Sequence, residues 1–211
     1  MKTYKPYLLV LIFFSNSCKT ENNTMFNLED NPEQLEVFSR DYISTPLHER
    51  DIAISPEGNQ LVYTLGDYKQ TIRSLVSIKK KGERWGDKEI LPFSGNYNDI
   101  EPFFANDGSK LFFASNRPLG EDSTRTDYNI WYAEQVNGKW NNPIALDTLV
   151  NSRGDEFYPS VSSNGNLYFT ATRTDGIGRE DIFVSTFLKG KYNAPMPLDS
   201  TVNTKAFEFN A

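Results

Sequence analysis

The sequence predicts an all-β protein built from three copies of one four-stranded antiparallel unit. The turn glycines Gly58, Gly108 and Gly165 lie 50 and 57 residues apart, and a run of apolar and aromatic residues follows each of them. Every unit then repeats a third strand and a second turn glycine that is followed by an aromatic residue. A period near 50 residues with four strands per unit is typical of β-propeller blades.

The middle unit, from Asp99 to Trp140, shows the pattern most clearly. Its first turn contains Asp107 and Gly108, which are residue types that adopt left-handed backbone at low cost. The strand that follows, 111–114, is apolar throughout, as expected for a strand that is buried on both faces. The alternative is one irregular antiparallel sandwich whose repeats arise by chance. The turn glycine, the apolar strand, the third strand and the second turn glycine recur together in each unit, and this favours blades.

The blades are predicted at about 48–97, 98–150 and 151–200, and the run 203–211 repeats the start of a blade. The predicted fold is an incomplete propeller of about three blades plus the first strand of a fourth, because propellers use about four to eight blades. Either the chain is part of a longer protein, which we favour, or several copies complete the ring. The open blade edge predicts marginal stability or self-association of the 211-residue chain.

The N-terminal residues predict export. Two lysines precede eight apolar residues, 7–14, a run that is too short to span a bilayer and typical of a signal peptide. The only cysteine, Cys18, follows small and polar residues, and this stretch resembles the lipobox of bacterial lipoproteins, although Ser15 stands where that motif has leucine. We predict a signal peptide at 1–17 and lipidation of Cys18, with ordinary secretion as the alternative.

The polar stretch 18–35 is predicted to be a tether between the lipidated cysteine and a propeller at 36–211. Within that domain, 36–39 is interpreted as a short strand that could close the ring against the last blade, with an edge strand or a capping turn as alternatives. The expected location is the bacterial cell envelope, facing the periplasm or the cell surface. The lipid would be the only membrane contact.

The composition limits the classes of partner. The formal net charge is −6, and removal of the signal peptide would make it −8. A chain this acidic is not expected to bind nucleic acid or an anionic membrane by electrostatics. Its aromatic content of 14% suits strands that pack face to face.

Turn and strand-end motifs recur along the chain, at 55–58 (Ser-Pro-Glu-Gly), 107–108 (Asp-Gly), 115–117 (Ser-Asn-Arg) and 172–173 (Thr-Arg). In these motifs the sequence from residue 48 to the end resembles the TolB-like, WD-repeat-like β-propellers of bacterial envelope proteins. Blade 1 departs from the pattern because it lacks the arginine near Gly66, and blade 3 has Asn164 in place of aspartate. The resemblance implies the fold and an envelope location, and it is weak for function.

One acidic position recurs nine residues before each turn glycine. It is occupied by Glu49, Asp99 and Glu156, and by Glu208 in the last run. Because the first strand of a propeller blade lines the central channel, these carboxylates could form a ring at the channel mouth that holds a cation or a basic ligand. Alternatively, each acid pairs with Arg117, Arg173 or a backbone N–H of a neighbouring blade, as buried acids usually do.

No catalytic residue, metal site or cofactor is predicted. The single histidine, His48, cannot be part of a multi-histidine site, and the Gly-x-Ser-x-Gly elbow is absent. The favoured function is an exported, lipid-anchored module that binds an envelope protein, peptide or glycan. The alternative is a propeller enzyme, a hydrolase or lyase acting on glycans or peptides, that uses the channel-mouth carboxylates. An acid pair with a strongly perturbed pKa in a cleft would favour the enzyme.

Overall fold

The computed structural model describes Leu28 and residues 34–120 and 124–211. These residues form strands and connecting turns, and the all-β prediction is confirmed. In this part of the chain there is no helix long and apolar enough to cross a bilayer. The predicted signal peptide, the lipidation site Cys18 and most of the predicted tether lie outside the described residues.

Three consecutive antiparallel sheets form the three predicted blades. Blade 1 contains β1 (His48–Ile54), β2 (Gln60–Gly66), β3 (Arg73–Lys81), β4 (Arg84–Trp85) and β5 (Glu89–Ile90). Blade 2 contains β6 (Asp99–Phe104), β7 (Lys110–Ser115), β8 (Asn129–Val136), β9 (Lys139–Trp140) and β10 (Ile144–Ala145). Blade 3 contains β11 (Glu156–Val161), β12 (Leu167–Ala171), β13 (Asp181–Ser185), β14 (Phe187–Leu188), β15 (Lys191–Tyr192) and β16 (Met196–Pro197).

The order of strands within each blade follows the chain. The main strands pair in the orders β1-β2-β3-β5, β6-β7-β8-β10 and β11-β12-β13-β16. A small hairpin extends the third strand of the first two blades, where β4 pairs with β3 and β9 pairs with β8. In blade 3 the corresponding strands β14 and β15 pair only with each other and form a separate two-stranded sheet.

The predicted turn glycines have left-handed backbone conformations. Gly58, Gly108 and Gly165 have φ values of 65°, 68° and 87° and connect the first and second strands of their blades. An L side chain rarely adopts this backbone, so glycine at these positions lets the two strands reverse direction within a few residues.

The blades pack face to face through two apolar layers. Phe113 and Trp131 lie between blades 1 and 2, and they are 0% and 8% exposed, so the predicted burial of the run that contains Phe113 is confirmed. Phe112, Phe169 and Phe183 lie between blades 2 and 3. Burial of such side chains stabilises the fold by about 1.5–3 kcal/mol each. The repeat therefore folds because neighbouring blades cover each other.

The strand predicted at 36–39 is wrong. Ser39 and Asp41 have left-handed backbone, and the Ser39 carbonyl accepts hydrogen bonds from the N–H groups of the residues at 42, 43 and 44. These bonds close a tight turn, which is incompatible with an extended strand. The turn directs Ile43, 1% exposed, onto the outer face of blade 1.

The run 203–211 lies beside blade 3. Phe207 forms one isolated parallel bridge with Glu180, and two backbone hydrogen bonds join 206–208 to 179–180. Asn210 has a φ of 66° and so repeats a left-handed position found in the first strand of each blade. This segment corresponds to the predicted start of a fourth unit.

Candidate functional site

Asp99, the blade 2 member of the predicted acid column, is fully buried and paired with an arginine of its own blade. Arg117 Nη2 lies 2.5 Å from Asp99 Oδ1, and Ser94 Oγ donates a 2.7 Å hydrogen bond to Oδ2. The Arg117 guanidinium also lies 5.3 Å from the ring centroids of Phe113 and Trp131. This arginine therefore neutralises the acid and closes the end of the aromatic layer.

Glu156 of blade 3 repeats the arrangement. Its Oε1 lies 3.3 Å from Arg173 Nη2 and accepts hydrogen bonds from the N–H and hydroxyl of Ser152 at 3.0 and 2.5 Å. Its Oε2 is buried without a hydrogen-bond partner among the described residues. Burial raises the pKa of Glu156 to about 7, against the effect of Ser152 and Arg173.

The remaining acids of the column have simpler contacts. Glu49 accepts a hydrogen bond from the Thr45 hydroxyl, and Glu208 accepts bonds from the N–H of Thr204 at 2.9 Å and from its hydroxyl at 2.6 Å. In the described residues no three His, Cys, Asp or Glu side chains are placed to hold a metal ion. Asp99 and Glu156 therefore make the arginine contacts of the pairing alternative, whereas Glu49 and Glu208 contact threonines four residues away. A ring of ligands formed by this column stays a prediction.

A second column lies two residues further along each first strand. Its members have left-handed backbone although none is glycine: Asp51 (φ 55°), Glu101 (φ 59°), Tyr158 (φ 49°) and Asn210 (φ 66°). In the three blades the pairing register shifts at this point, which marks a β-bulge. A β-bulge redirects the side chains around it. Left-handed backbone at a non-glycine residue costs roughly 1–3 kcal/mol, and positions with such strain cluster at functional sites.

Arg50 joins the members of this second column. Its Nε lies 2.5 Å from Asp51 Oδ2, and its Nη2 lies 3.2 Å from Glu101 Oε1 and 2.7 Å from the Tyr158 hydroxyl. The first strands of all three blades therefore meet at one guanidinium. We call Arg50, Asp51, Glu101 and Tyr158 the inner-strand site.

Glu101 is the most buried member of the inner-strand site, with 5% of its surface exposed. Its Oε2 accepts a 2.7 Å hydrogen bond from the N–H of Tyr158, and its own N–H donates to the hydroxyl of Thr64 at 3.0 Å. Burial raises the pKa of Glu101 to about 7, because desolvation outweighs the Tyr158 hydrogen bond and the Arg50 charge. Asp51 raises this pKa further by repulsion.

A small cavity of about 150 Å³ adjoins the site and opens to solvent. Asp51, Glu101, Tyr158 and Asn210 line it together with the exposed side chain of Ile52. The cavity thus has polar walls formed by the carboxylates of Asp51 and Glu101, by Tyr158 and by Asn210. It can therefore bind a small polar group, and Glu101 can change its charge near neutral pH.

Sequence reasoning missed the inner-strand site. The acid column nine residues before each turn glycine is recognisable because its members are all acids, whereas the column seven residues before contains Asp, Glu, Tyr and Asn. One signal could have found it, since Glu101 and Tyr158 each precede a proline within a first strand. Proline in a strand is confined to edges and bulges, so these dipeptides indicate the bulge.

Comparison with solved structures supports the fold. The chain is similar to TolB from Acinetobacter baumannii, with a TM-score of 0.50, 13% identity, and coverage of 74% of this chain and 34% of TolB. It is also similar to a puromycin-hydrolyzing peptidase from Mycobacterium tuberculosis, with a TM-score of 0.52, 13% identity, and coverage of 78% and 24%. The chain thus spans about a third and a quarter of these proteins. No protein-family model and no curated protein matches the chain. These likenesses, with the sheet topology, identify the fold as a partial β-propeller.

Proposed function

We propose that the protein is a binding module of the bacterial cell envelope, exported by its first 17 residues and anchored through lipidated Cys18. The observation that carries the binding role is the inner-strand site, where Asp51 and Glu101 both contact the guanidinium of Arg50. The positive charge of Arg50 favours the ionised forms of these carboxylates, which are hydrogen-bond acceptors for polar groups of a partner. The partner would be an envelope protein, peptide or glycan.

The proposal is tested with the full-length chain, leader included, captured from detergent-solubilised envelopes of the native host. Ile52 lines the cavity beside the inner-strand site and is 46% exposed, so Ile52→Asp should fold and block the site. The matched control is Ile90→Asp, an exposed isoleucine on the outer strand β5. We expect a partner that the wild type and Ile90→Asp retain and that Ile52→Asp loses. Equal retention by Ile52→Asp would contradict binding at this site.

A propeller enzyme is the second candidate, and one observation favours it. Glu101 has a pKa near 7 and lies beside Asp51 at an open cavity, which is the pattern of an acid pair suited to proton transfer. Hydrolysis of envelope glycans or peptides by the wild type, lost in Glu101→Gln, would favour the enzyme over the binding module. Turnover that persists in Glu101→Gln would exclude this carboxyl as the catalytic group.

A further inference from the structure

The charged groups that line the cavity of the inner-strand site are acids. Of the described residues in its wall, Asp51 and Glu101 carry carboxylates and none carries a positive charge. Arg50 contacts both carboxylates but does not form part of the wall. A ligand that enters the cavity therefore meets negative charge.

The charge balance of the site selects a cation. When Glu101 is ionised, one guanidinium faces two carboxylates, so Arg50, Asp51 and Glu101 together carry a net charge of −1. One bound monovalent cation brings this charge to zero, whereas an anion would make it −2. Unfavourable charge of this kind excludes wrong partners. The formal net charge of the whole chain, −6, also favours the approach of cations.

One carboxylate oxygen at the cavity is available to a ligand. Arg50 Nε lies 2.5 Å from Asp51 Oδ2, while Asp51 Oδ1 accepts no hydrogen bond from the described residues. The Asp51 side chain is 17% exposed, so a donor that arrives from solvent can reach it. The surrounding protein excludes most of the water, and this strengthens a charge-assisted hydrogen bond to that oxygen.

The size and the apolar part of the cavity indicate which cation fits. Its volume of about 150 Å³ is below the roughly 300–1,000 Å³ of sites that enclose a drug-sized ligand, so it accommodates one side-chain group. Pro102, Phe103 and Pro159 also line it. A lysine side chain matches both parts, because its hydrocarbon stem can cover apolar surface while its compact ammonium meets the acids. Arginine fits less well, since its planar fork binds a carboxylate through both oxygens and Asp51 Oδ2 is already used.

From the two carboxylates, the free oxygen and the apolar wall, we infer that this cavity binds the ammonium group of a lysine side chain presented by a partner polypeptide. The ammonium donates to Asp51 Oδ1 beside Glu101, and the methylene stem packs on Pro102 and Pro159. Asn210 lines the cavity and offers a further acceptor. The inference rests on the proposed binding role of the inner-strand site and names the group that the site takes.

The affinity should depend on the charge of Glu101. The charged and titratable groups that face this residue are Arg50 and Asp51 from β1 and Tyr158 from β11, while Thr64 of β2 contributes a neutral hydroxyl. Burial raises the pKa of Glu101 to about 7, whereas a lysine ammonium, with a pKa of about 10.4, stays charged between pH 6 and 8. The ionised fraction of Glu101 rises about tenfold over that interval, so the affinity should rise by up to about tenfold.

The probe is a capped tripeptide with lysine between two glycines, titrated into the full-length chain in a non-ionic detergent and followed by NMR line shifts. We expect saturable binding that peptides with norleucine or Nε-acetyl-lysine do not show, and weaker binding of the arginine peptide. Free butylammonium, which has the same stem and head, should bind more weakly than the peptide. Tighter binding of butylammonium would assign the cavity to a small amine and overturn the polypeptide as its ligand.

Two variants test the assigned contacts. Asp51→Asn removes the charge and keeps the left-handed backbone, φ 55°, which asparagine tolerates, so it should weaken binding at least tenfold. Glu101→Gln should bind the peptide more weakly than the wild type at pH 8 and with equal affinity at pH 6 and 8. The matched control Asp175→Asn, at an exposed carboxyl of a blade 3 loop, should bind like the wild type.

Absence of saturable binding to the wild type would overturn the inference, and so would equal affinity of Asp51→Asn or of the norleucine peptide. If envelope capture identifies a partner that depends on Ile52 and the lysine peptide does not bind, the inference fails and the proposed binding role stands. If the lysine peptide binds as described and capture yields no partner, the proposed envelope role fails and the ammonium site stands.

Discussion

Arg50 of blade 1 donates a 2.7 Å hydrogen bond from Nη2 to the hydroxyl of Tyr158 in blade 3, 108 residues further along the chain. The same nitrogen lies 3.2 Å from Glu101 of blade 2. The three first strands are therefore joined by one side chain, in addition to the apolar layers between blades. This contact couples the stability of the blades to the charge state of the inner-strand site.

We predict that Arg50→Met lowers the free energy of unfolding by about 1–2 kcal/mol. Removal of one partner leaves the buried Glu101 without its cation, but Arg50 is 37% exposed, so solvent reduces the cost below that of a fully buried pair. Chemical denaturation at pH 7 measures the change. Arg153→Ala, at an exposed arginine, should have little effect, and an equal loss in both variants would contradict a specific role for Arg50.

Stability should fall as the pH rises from about 4.5 to 7. Burial raises the pKa of Glu101 and Glu156 from 4.5 to about 7, so in this window the folded protein holds protons that the unfolded chain has released. The protonated carboxyls contribute to the free energy of unfolding, and this contribution is fully present below pH 4.5. It is lost as the pH passes 7 and amounts to roughly 1–3 kcal/mol for each group. Urea denaturation at several pH values measures the slope.

The double variant Glu101→Gln with Glu156→Gln should flatten this slope. Glutamine keeps an acceptor oxygen for Arg50 and Arg173 but does not titrate. The control Glu83→Gln, at an exposed carboxyl, should keep the wild-type profile. A slope that persists unchanged in the double variant would show that other groups cause it.

Truncation of the core aromatics should be severe. Phe113 is fully buried and stacks on Phe93 with centroids 5.3 Å apart, so Phe113→Ala should cost about 3–5 kcal/mol, and Trp131→Ala a similar amount. Thermal and chemical denaturation measure the loss. Ile144→Ala, at a half-exposed residue of β10, should cost less than about 1 kcal/mol. Comparable losses at both positions would contradict the assigned packing.

Cys18→Ala should abolish lipid labelling and release the protein from the membrane into a soluble fraction. The reason is that a thiol is the acceptor for the lipid and the short apolar run before it cannot span a bilayer. Metabolic labelling with a fatty acid and fractionation of cells measure the two effects. Ser17→Ala should remain labelled, whereas unchanged membrane association of Cys18→Ala would contradict the lipid anchor.

The outer face of blade 3 should mediate self-association of the 211-residue chain. Val184 and Met196 are paired across strands and face away from blade 2, and Met196 is 61% exposed, with Phe207 50% exposed nearby. Met196→Glu should shift the protein towards monomer in sedimentation velocity, because a charge on this face opposes its burial. Ile90→Glu on blade 1 should not. A wild-type chain that is monomeric at all concentrations would contradict the prediction.

The sequence by itself determined the fold and the identity of the core. Turn glycines at 58, 108 and 165 and the apolar runs after them are local signals, and each blade is built mainly from contacts within about 50 residues. The burial of Phe113 was predictable for the same reason, since the apolar run 111–114 is expected to be buried on both faces, whereas Trp131 lies in a strand that also carries polar residues. The prediction of a strand at 36–39 is wrong because left-handed backbone at Ser39 and Asp41 carries little signal in sequence.

Only the tertiary structure decided the partners of the functional side chains. Arg50 meets Glu101 and Tyr158 because the blades place three first strands side by side, and this distance cannot be obtained from a repeat period. The cavity of about 580 Å³ between blades 2 and 3 likewise depends on how the two blades pack. Periodicity specifies which side chains face inward, whereas packing between blades specifies which of them touch.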